Sequence, residues 1–269
     1  MLYNKIMKNE AALNSIVFSH TYTKEVENAS FHSHNHFFYE ILFILSGSGL
    51  FLVEDTAYEF SGNTVIVIPP QLYHVLKIPP QRHYERYVVH FAPELLPDEL
   101  QAERPIVRQA DEEMIALLAR AEAGATLYGE TPRRILQGAV ITEAMVALRY
   151  GKETYATPKT ELPALVQSAV RYICDNLDKP LDIPELARAL FVSETYLGHI
   201  FARTMNISLM RYVRLKKMYR AREYLKRGFS VTHTAELLGY ESYHTFLRNY
   251  FAEFATLPSQ DRQTSPRTK

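Results

Sequence analysis

SLMRYVRLKKMYRAREYLKR, residues Ser208–Arg227, reads as one uninterrupted helix. Apolar side chains recur at Leu209, Tyr212, Val213, Leu215, Tyr219 and Leu225, close to helical spacing. Ser208 supplies an N-cap and Gly228 a stop. Basic residues alternate with aromatic and aliphatic ones, and no acid occurs before Glu223. A basic amphipathic helix has many uses, and its flanks decide between them.

The flanks repeat. Upstream runs Ile183-x3-Ala187-x2-Leu190, a short turn, then Ser193-x3-Leu197-x2-Ile200-Phe201. Downstream runs Val231-x3-Ala235-x2-Leu238, the turn Gly239-Tyr240, then Ser242-x3-Phe246-x3-Tyr250. The first halves repeat at an offset of 48 and the second at 49, with one extra residue in the second turn. Each unit reads as a short helix, a tight turn and a serine-capped second helix. This is the helix-turn-helix plan, in which the second helix lies in the major groove. The bridging helix of about 20 residues spans about 30 Å, near the ~34 Å between successive major grooves on one face of B-DNA. One chain can then address two consecutive grooves.

Residues 180–228, PLDIPELARALFVSETYLGHIFARTMNISLMRYVRLKKMYRAREYLKRG, and 230–262, SVTHTAELLGYESYHTFLRNYFAEFATLPSQDR, resemble the DNA-binding domain of the AraC/XylS family of bacterial transcription regulators. Ala235, Gly239, Tyr240, Phe246, Arg248, Tyr250, Phe254 and Pro258 carry the family signature. The resemblance spans residues 163–262. It implies sequence-specific binding to double-stranded promoter DNA and transcription adjusted by small molecules. The chain departs from the pattern at several places. Gly198 lies inside the first recognition helix, and His199 stands where arginine is frequent. Phe191 occupies a turn position where glycine is frequent, and Asn206 and Ala255 replace the glycine that usually follows each recognition helix. Helical phasing turns Leu197, Ile200 and Phe201 inward. It leaves Thr195, Gly198, His199 and Arg203 of the first unit, and Tyr243, His244, Leu247 and Arg248 of the second, as candidate DNA contacts. Arg248 is the best single base or phosphate contact, and Leu247 suits a thymine methyl. Arg211, Arg214, Lys216, Lys217 and Arg220 are candidates for phosphate, which positions without specifying sequence.

Charge agrees with this division. The net charge is zero, yet residues 1–160 hold 14 Lys+Arg against 19 Asp+Glu, and residues 161–269 hold 16 against 11. A basic second half beside an acidic first half points to one part that meets a polyanion. An apolar share of 47% with 22% charged residues describes a globular chain. The single cysteine, Cys174, excludes an internal disulfide and multi-cysteine metal sites. The first ten residues lack the apolar core of a signal peptide, and the Ile41–Leu45 run is too short to span a bilayer. A cytoplasmic protein without membrane contact is expected.

Residues 15–106 read as short strands rich in β-branched and aromatic residues: Ile16–Phe18, Glu40–Leu45, Gly49–Val53, Ala57–Phe60, Thr64–Ile68, His74–Ile78 and Arg86–Phe91. Such spacing means a sandwich or small barrel. His32, His34 and His36 alternate, and Glu40 keeps their parity, so a strand here would face them one way. Imidazoles and a carboxylate turned inward suit a divalent transition metal. The order His34-x-His36-x3-Glu40, then Gly47 or Gly49, then Gly62-x6-Pro69 and His74, resembles the cupin double motif over residues 30–80. The resemblance implies a double-sheet barrel in which His34, His36, Glu40 and His74 line an effector pocket or hold a metal. No cofactor is assigned, and a divalent metal is the candidate for the barrel. His20, His83 and His90 show no partners and are assigned structural or surface roles.

Asp111–Ala123 and Pro132–Arg149 read as amphipathic helices. The second can cover the barrel or a partner chain. The expected architecture is an all-β cupin-like effector-binding barrel at 1–106, a helical pair at 107–150 for packing or dimerisation and a linker at 151–162. An all-α double helix-turn-helix domain at 163–262 and a tail at 263–269 complete it. The chain is read as a DNA-binding transcription regulator, not an enzyme, with a small molecule, for instance a sugar, as effector. A homodimer is expected, and RNA polymerase is a further candidate partner. The alternative is a metal-dependent cupin enzyme, an oxygenase or isomerase, with a helical appendage.

Overall fold

The computed structural model describes residues 16–27, 29–30, 36–151, 159–160 and 162–262. Two compact units divide between Glu161 and Leu162. The expectations for residues 1–12, His32, His34 and the tail at 263–269 fall outside the described residues, as does most of the 151–162 stretch.

The first unit is β-rich. Its strands are β1 Val17–Val26, β2 Ala29–Ser30, β3 Tyr39–Ser46, β4 Ser48–Val53, β5 Thr56–Ser61, β6 Thr64–Ile68, β7 His74–Ile78, β8 Gln81–Phe91, β9 Ile106–Gln109 and β10 Lys159–Thr160. They pair antiparallel in two five-stranded sheets, ordered β1-β8-β3-β6-β9 and β10-β5-β4-β7-β2. The sequence reading of an all-β, cupin-like layout is met. It missed β2, β9 and β10, and it cut β1 short, because Thr21–Glu25 is polar and largely exposed.

Strand β3 explains the layering. Alternate residues of a strand face opposite ways. Leu42 and Ile44 enter the core between the sheets, with Phe51, Phe60, Ile66, Leu76 and Val88. Tyr39, Ile41 and Phe43 face the other way and pack beneath two helices, α1 Glu112–Leu127 and α2 Glu130–Tyr150. Both faces are buried, so the strand reads as a continuous apolar run rather than an alternation. Asp111 caps α1 by accepting from the Met114 amide at 2.8 Å. Helix α2 buries Val140, Ile141, Ala144, Met145 and Leu148. Its opposite face leaves Ile135, Val146 and Tyr150 exposed.

The second unit is helical: α3 Ala164–Asp175, α4 Ile183–Ala189, α5 Glu194–Met205, α6 Leu209–Lys226, α7 Val231–Leu237, α8 Tyr243–Phe254 and α9 Pro258–Asp261. The repeat holds element by element. Helices α4 and α7 each have seven residues, and α5 and α8 each have twelve. Ser193 and Ser242 cap the second helices by accepting from Tyr196 and Thr245 amides. Asn206 and Ala255 close them in the left-handed region, at φ 57° and 53°. Helix α6 has 18 residues, about 27 Å, and Ser208 caps it as expected.

Phe191 also sits in the left-handed region, at φ 57°, with its ring 94% exposed. Its repeat partner in the second turn is Gly239, at φ 69°. A non-glycine residue pays steric energy there, and an exposed ring returns none. Phe191→Gly should stabilise the chain by about 0.5–1 kcal/mol. Urea denaturation of the two proteins checks this, and a less stable glycine variant would show that the ring packs against something.

Candidate nucleic-acid interface and buried histidine site

The recognition helices expose the expected faces in part. On α5, Thr195, His199 and Arg203 are exposed and Gly198 is half-buried. A side chain at Gly198 would meet nothing within 4 Å, so the glycine leaves an open backbone surface on that face. On α8, Tyr243, His244 and Arg248 are exposed, while Leu247 is half-buried. Inward, Leu197 and Phe201 of α5 and Phe246, Tyr250 and Phe254 of α8 enter the core. Ile200 stays half-buried rather than fully interior.

Helix α6 departs most from its sequence reading. It is enclosed on most of its circumference and buries ten residues, two of them basic. Lys217 donates to the Lys179 carbonyl at 2.9 Å and to the Leu238 carbonyl at 2.6 Å. Its ammonium lies 5.7 Å from the Tyr240 ring centroid. Burial lowers its pKa, and Asp178 acts in the opposite sense. Arg222 pairs with Asp261 at 2.9 Å. Arg211 pairs with Glu253 at 2.6 Å, and Arg220 with Glu223 at 3.0 Å. Lys217 is therefore an interior tie and not a surface cation for phosphate. Arg214 remains exposed and Lys216 half-buried.

In the barrel, His36, Glu40, His74 and His90 converge among the interior side chains, all buried. His36 precedes β3 and does not share a strand with Glu40. The bend at Phe37 and Phe38 brings the two together, which corrects the strand-parity argument. His36 Nε2 lies 2.9 Å from Glu40 Oε2, and His74 Nε2 lies 3.5 Å from the same oxygen. His90 Nε2 lies 3.6 Å from Glu40 Oε1. His90 reverses the surface or structural role expected of it: β8 sets it opposite Glu40 in register on β3. His20 also has partners, Glu85 at 2.8 Å and Glu122 at 3.1 Å, and His83 accepts or donates with the Tyr22 hydroxyl at 2.8 Å.

The cluster's protons are over-subscribed. His36 Nδ1 lies 2.7 Å from the Phe38 carbonyl, which can only accept. Its Nε2 meets the carboxylate of Glu40. A neutral imidazole carries one proton for these two acceptors. The imidazolium would satisfy both, but desolvation outweighs the help of Glu40 and lowers His36 to about 4. Burial alone would raise Glu40. Hydrogen bonds from His36, His74 and His90 instead hold its carboxyl well below the ordinary value. His74 repeats the arrangement, with Nδ1 2.9 Å from the Leu72 carbonyl and Nε2 toward Glu40.

Comparisons with known proteins bear on both regions. Residues 186–264 match the helix-turn-helix domain family, and residues 20–131 match the AraC-like ligand binding domain family. The chain belongs to the AraC family of transcription regulators. It is 25% identical over 250 residues to the HTH-type transcriptional regulator YfiF of Bacillus subtilis (strain 168), covering 84% of this chain and 76% of that one. It is 29% identical over 101 residues to the multiple antibiotic resistance protein MarA of Escherichia coli (strain K12), covering 37% of this chain and 80% of that one. GbdR of Pseudomonas aeruginosa PAO1 is 32% identical over 108 residues, 40% of this chain and 29% of that one. The crystal structure of ToxT from Vibrio cholerae strain SCE256, with unsaturated fatty acid bound, aligns at a TM-score of 0.40 and 10% identity, over 91% of this chain and 94% of that one. This AraC-family member is a DNA-binding regulator with a ligand-binding N-terminal domain, and not an enzyme. Among its described residues no helix is long and apolar enough to cross a membrane.

Proposed function

We propose that this AraC-family regulator reads promoter DNA with both helix-turn-helix units at once. Helix α5 offers Thr195, Gly198, His199 and Arg203 to one major-groove segment. Helix α8 offers Tyr243, His244, Leu247 and Arg248 to the next. The observation that carries this is the outward face shared by the two second helices, in the same phase after matching serine caps. Arg248 is the strongest reader, since a guanidinium can bond two acceptors of guanine. The test begins with duplexes enriched from a random-sequence library by the full chain. Arg248→Ala should weaken binding to the enriched duplex by about 1–3 kcal/mol and relax the preference at one position. A uniform loss over all sequences would reduce Arg248 to a phosphate contact, and failure to enrich any sequence would defeat the reading.

The outward stripe of α2, with Ile135, Val146 and Tyr150, supports a homodimer. The first unit responds to a small molecule, and its buried cluster supports a metal as part of that site. Donor atoms about 2.0–2.2 Å from one tetrahedral or octahedral ion lie about 2.9–3.6 Å apart. The separations of 2.9 and 3.5 Å from His36 and His74 to one Glu40 oxygen fall in that range. A shared cation also removes the conflict at His36: Nδ1–H keeps the Phe38 carbonyl while Nε2 and the carboxylate both donate to the ion. Backbone carbonyls bound at Nδ1 of His36 and His74 are the usual orienting partners of metal-ligating histidines. Two imidazoles and a carboxylate favour a divalent transition ion over calcium or magnesium. His36, Glu40 and His74, whose ligand atoms lie within 4.8 Å of one another, would hold it, with His90 beside the second Glu40 oxygen. The ion would supply a Lewis-acid centre to which an effector oxygen could bind.

A further inference from the structure

We propose that Lys217 is a positioning residue for DNA reading, which fixes the two helix-turn-helix units in one relative orientation by tying a carbonyl of the segment that leads into the first to a carbonyl in the turn of the second. This rests on the reading that both units engage DNA. The two carbonyls come from different places. Lys179 belongs to the segment between α3 and α4 that leads into the first unit, and Leu238 ends α7 in the turn of the second. Lys217 rises from the middle of α6 between them and bonds both, at 2.9 and 2.6 Å.

The same seam is closed by a backbone contact. Gly239, at φ 69°, packs so tightly on Lys179 and Pro180 that a Cβ there would collide with the Pro180 backbone. In the first unit the matching turn residue is the exposed Phe191. The second unit's turn is thus seated on the first unit's lead-in segment, and Lys217 bonds across that seat. Helix α6 alone would leave the units joined by one rod, whose bending changes the phase between α5 and α8. The tie adds a second, lateral connection.

Packing alone does not explain a lysine here. Methionine has similar length and avoids the cost of a buried ammonium. The ammonium satisfies two helix-end or loop carbonyls that an apolar side chain would leave behind. At 7% exposure Lys217 has no surface to offer a phosphate. Its removal would act through the geometry of the other residues.

The experiment uses the full chain and three duplexes: the one enriched from a random library by the wild-type protein, and two versions in which one or the other contacted segment is scrambled. Two linked sites bind far more tightly than either alone when both can be engaged together. Lys217→Met should therefore weaken binding to the intact duplex by about 100-fold. On the half-scrambled duplexes it should bind within about threefold of wild type, because each unit still reads its own segment. Its salt dependence on the intact duplex should also flatten, by about 0.9 in slope for each phosphate that the variant no longer neutralises. Lys217→Arg, which can still donate to both carbonyls, should recover most of the affinity. Should Lys217→Met not retain its helix content, Lys217→Gln, whose amide nitrogen keeps two N–H donors on a side chain one bond shorter, should show a smaller loss in the same pattern, on the intact duplex and not on the half-scrambled ones. An equal loss on all three duplexes, or none, in a folded variant overturns the proposal. If the wild-type protein binds the half-scrambled duplexes as well as the intact one, it is the two-unit reading that fails, before Lys217 is tested.

Discussion

Asp261→Ala destabilises the second unit by about 3–5 kcal/mol, the size seen when one partner of a buried ion pair is removed. Asp261 is 7% exposed and faces Arg222, itself 8% exposed. Arg222 Nε lies 2.9 Å from Asp261 Oδ2, and its Nη2 lies 3.3 Å from Oδ1. The Tyr250 hydroxyl donates to Oδ2 at 2.5 Å. One carboxylate thus joins α6, α8 and the short terminal α9. Alanine removes the carboxylate that pairs with the buried guanidinium and accepts from the hydroxyl. The Phe254 ring, 4.9 Å from the guanidinium, compensates little of this. Hydrogen exchange on α6 and α8 peptides of the full chain, read against urea denaturation, measures the loss. The paired change Arg222→Met with Asp261→Leu should recover much of it, since apolar replacement of both partners is often neutral. A loss under about 1 kcal/mol for Asp261→Ala would show that the pair is solvated in practice.

That network is not visible in the sequence, although the fold around it is. The double helix-turn-helix is legible because it repeats: Ser193 and Ser242, Leu197 and Phe246, and Ala187 and Ala235 mark the same places at nearly constant offset. Local signals, caps and helical phase, fix such elements, and the structure returns them within a residue or two. Helix α6 is legible as a helix and misread as a surface. Val213, Lys217 and Ala221 fall four residues apart and share one face. Val213 and Ala221 are buried on either side of Lys217, so a lysine on that stripe is the sign of an interior tie. Charge outweighs phase in the sequence reading and yields a phosphate contact instead.

The barrel site divides the same way. His36, Glu40 and His74 stand out because they are near a sequence motif. His90 does not, because only the β3–β8 register brings it within reach of Glu40, fifty residues away in the chain. A signal exists: Tyr84, Val88 and His90 share a parity in β8, and Tyr84 and Val88 belong to the inter-sheet core. A histidine in that phase points inward. The motif's other histidine, His34, lies outside the described residues.

The full chain, stripped with a chelator and then given cobalt(II), nickel(II) or zinc(II), should bind one ion and gain stability in its first unit. An ion that binds only the folded state adds about 4 kcal/mol when free metal is a thousandfold above Kd. The gain follows from what the metal-free cluster lacks. Two acceptors face His36, and burial opposes the doubly protonated ring that would satisfy both. The ion takes the place of the missing proton. Glu40→Ala removes the carboxylate that lies within 3.6 Å of all three imidazoles and should abolish the thermal shift. His90→Ala should weaken binding and still leave His36, Glu40 and His74 to hold the ion. Cobalt(II) gives a readout apart from stability, because nitrogen and oxygen ligands in a closed site produce visible absorption bands. Those bands should appear with one equivalent of cobalt, change in His90→Ala and vanish in Glu40→Ala. A thermal shift that is the same in wild type, Glu40→Ala and His90→Ala would place the ion elsewhere. No shift and no bands would leave the conflict at His36 to be met by a proton, and the cluster would then be a polar pocket floor rather than a metal centre.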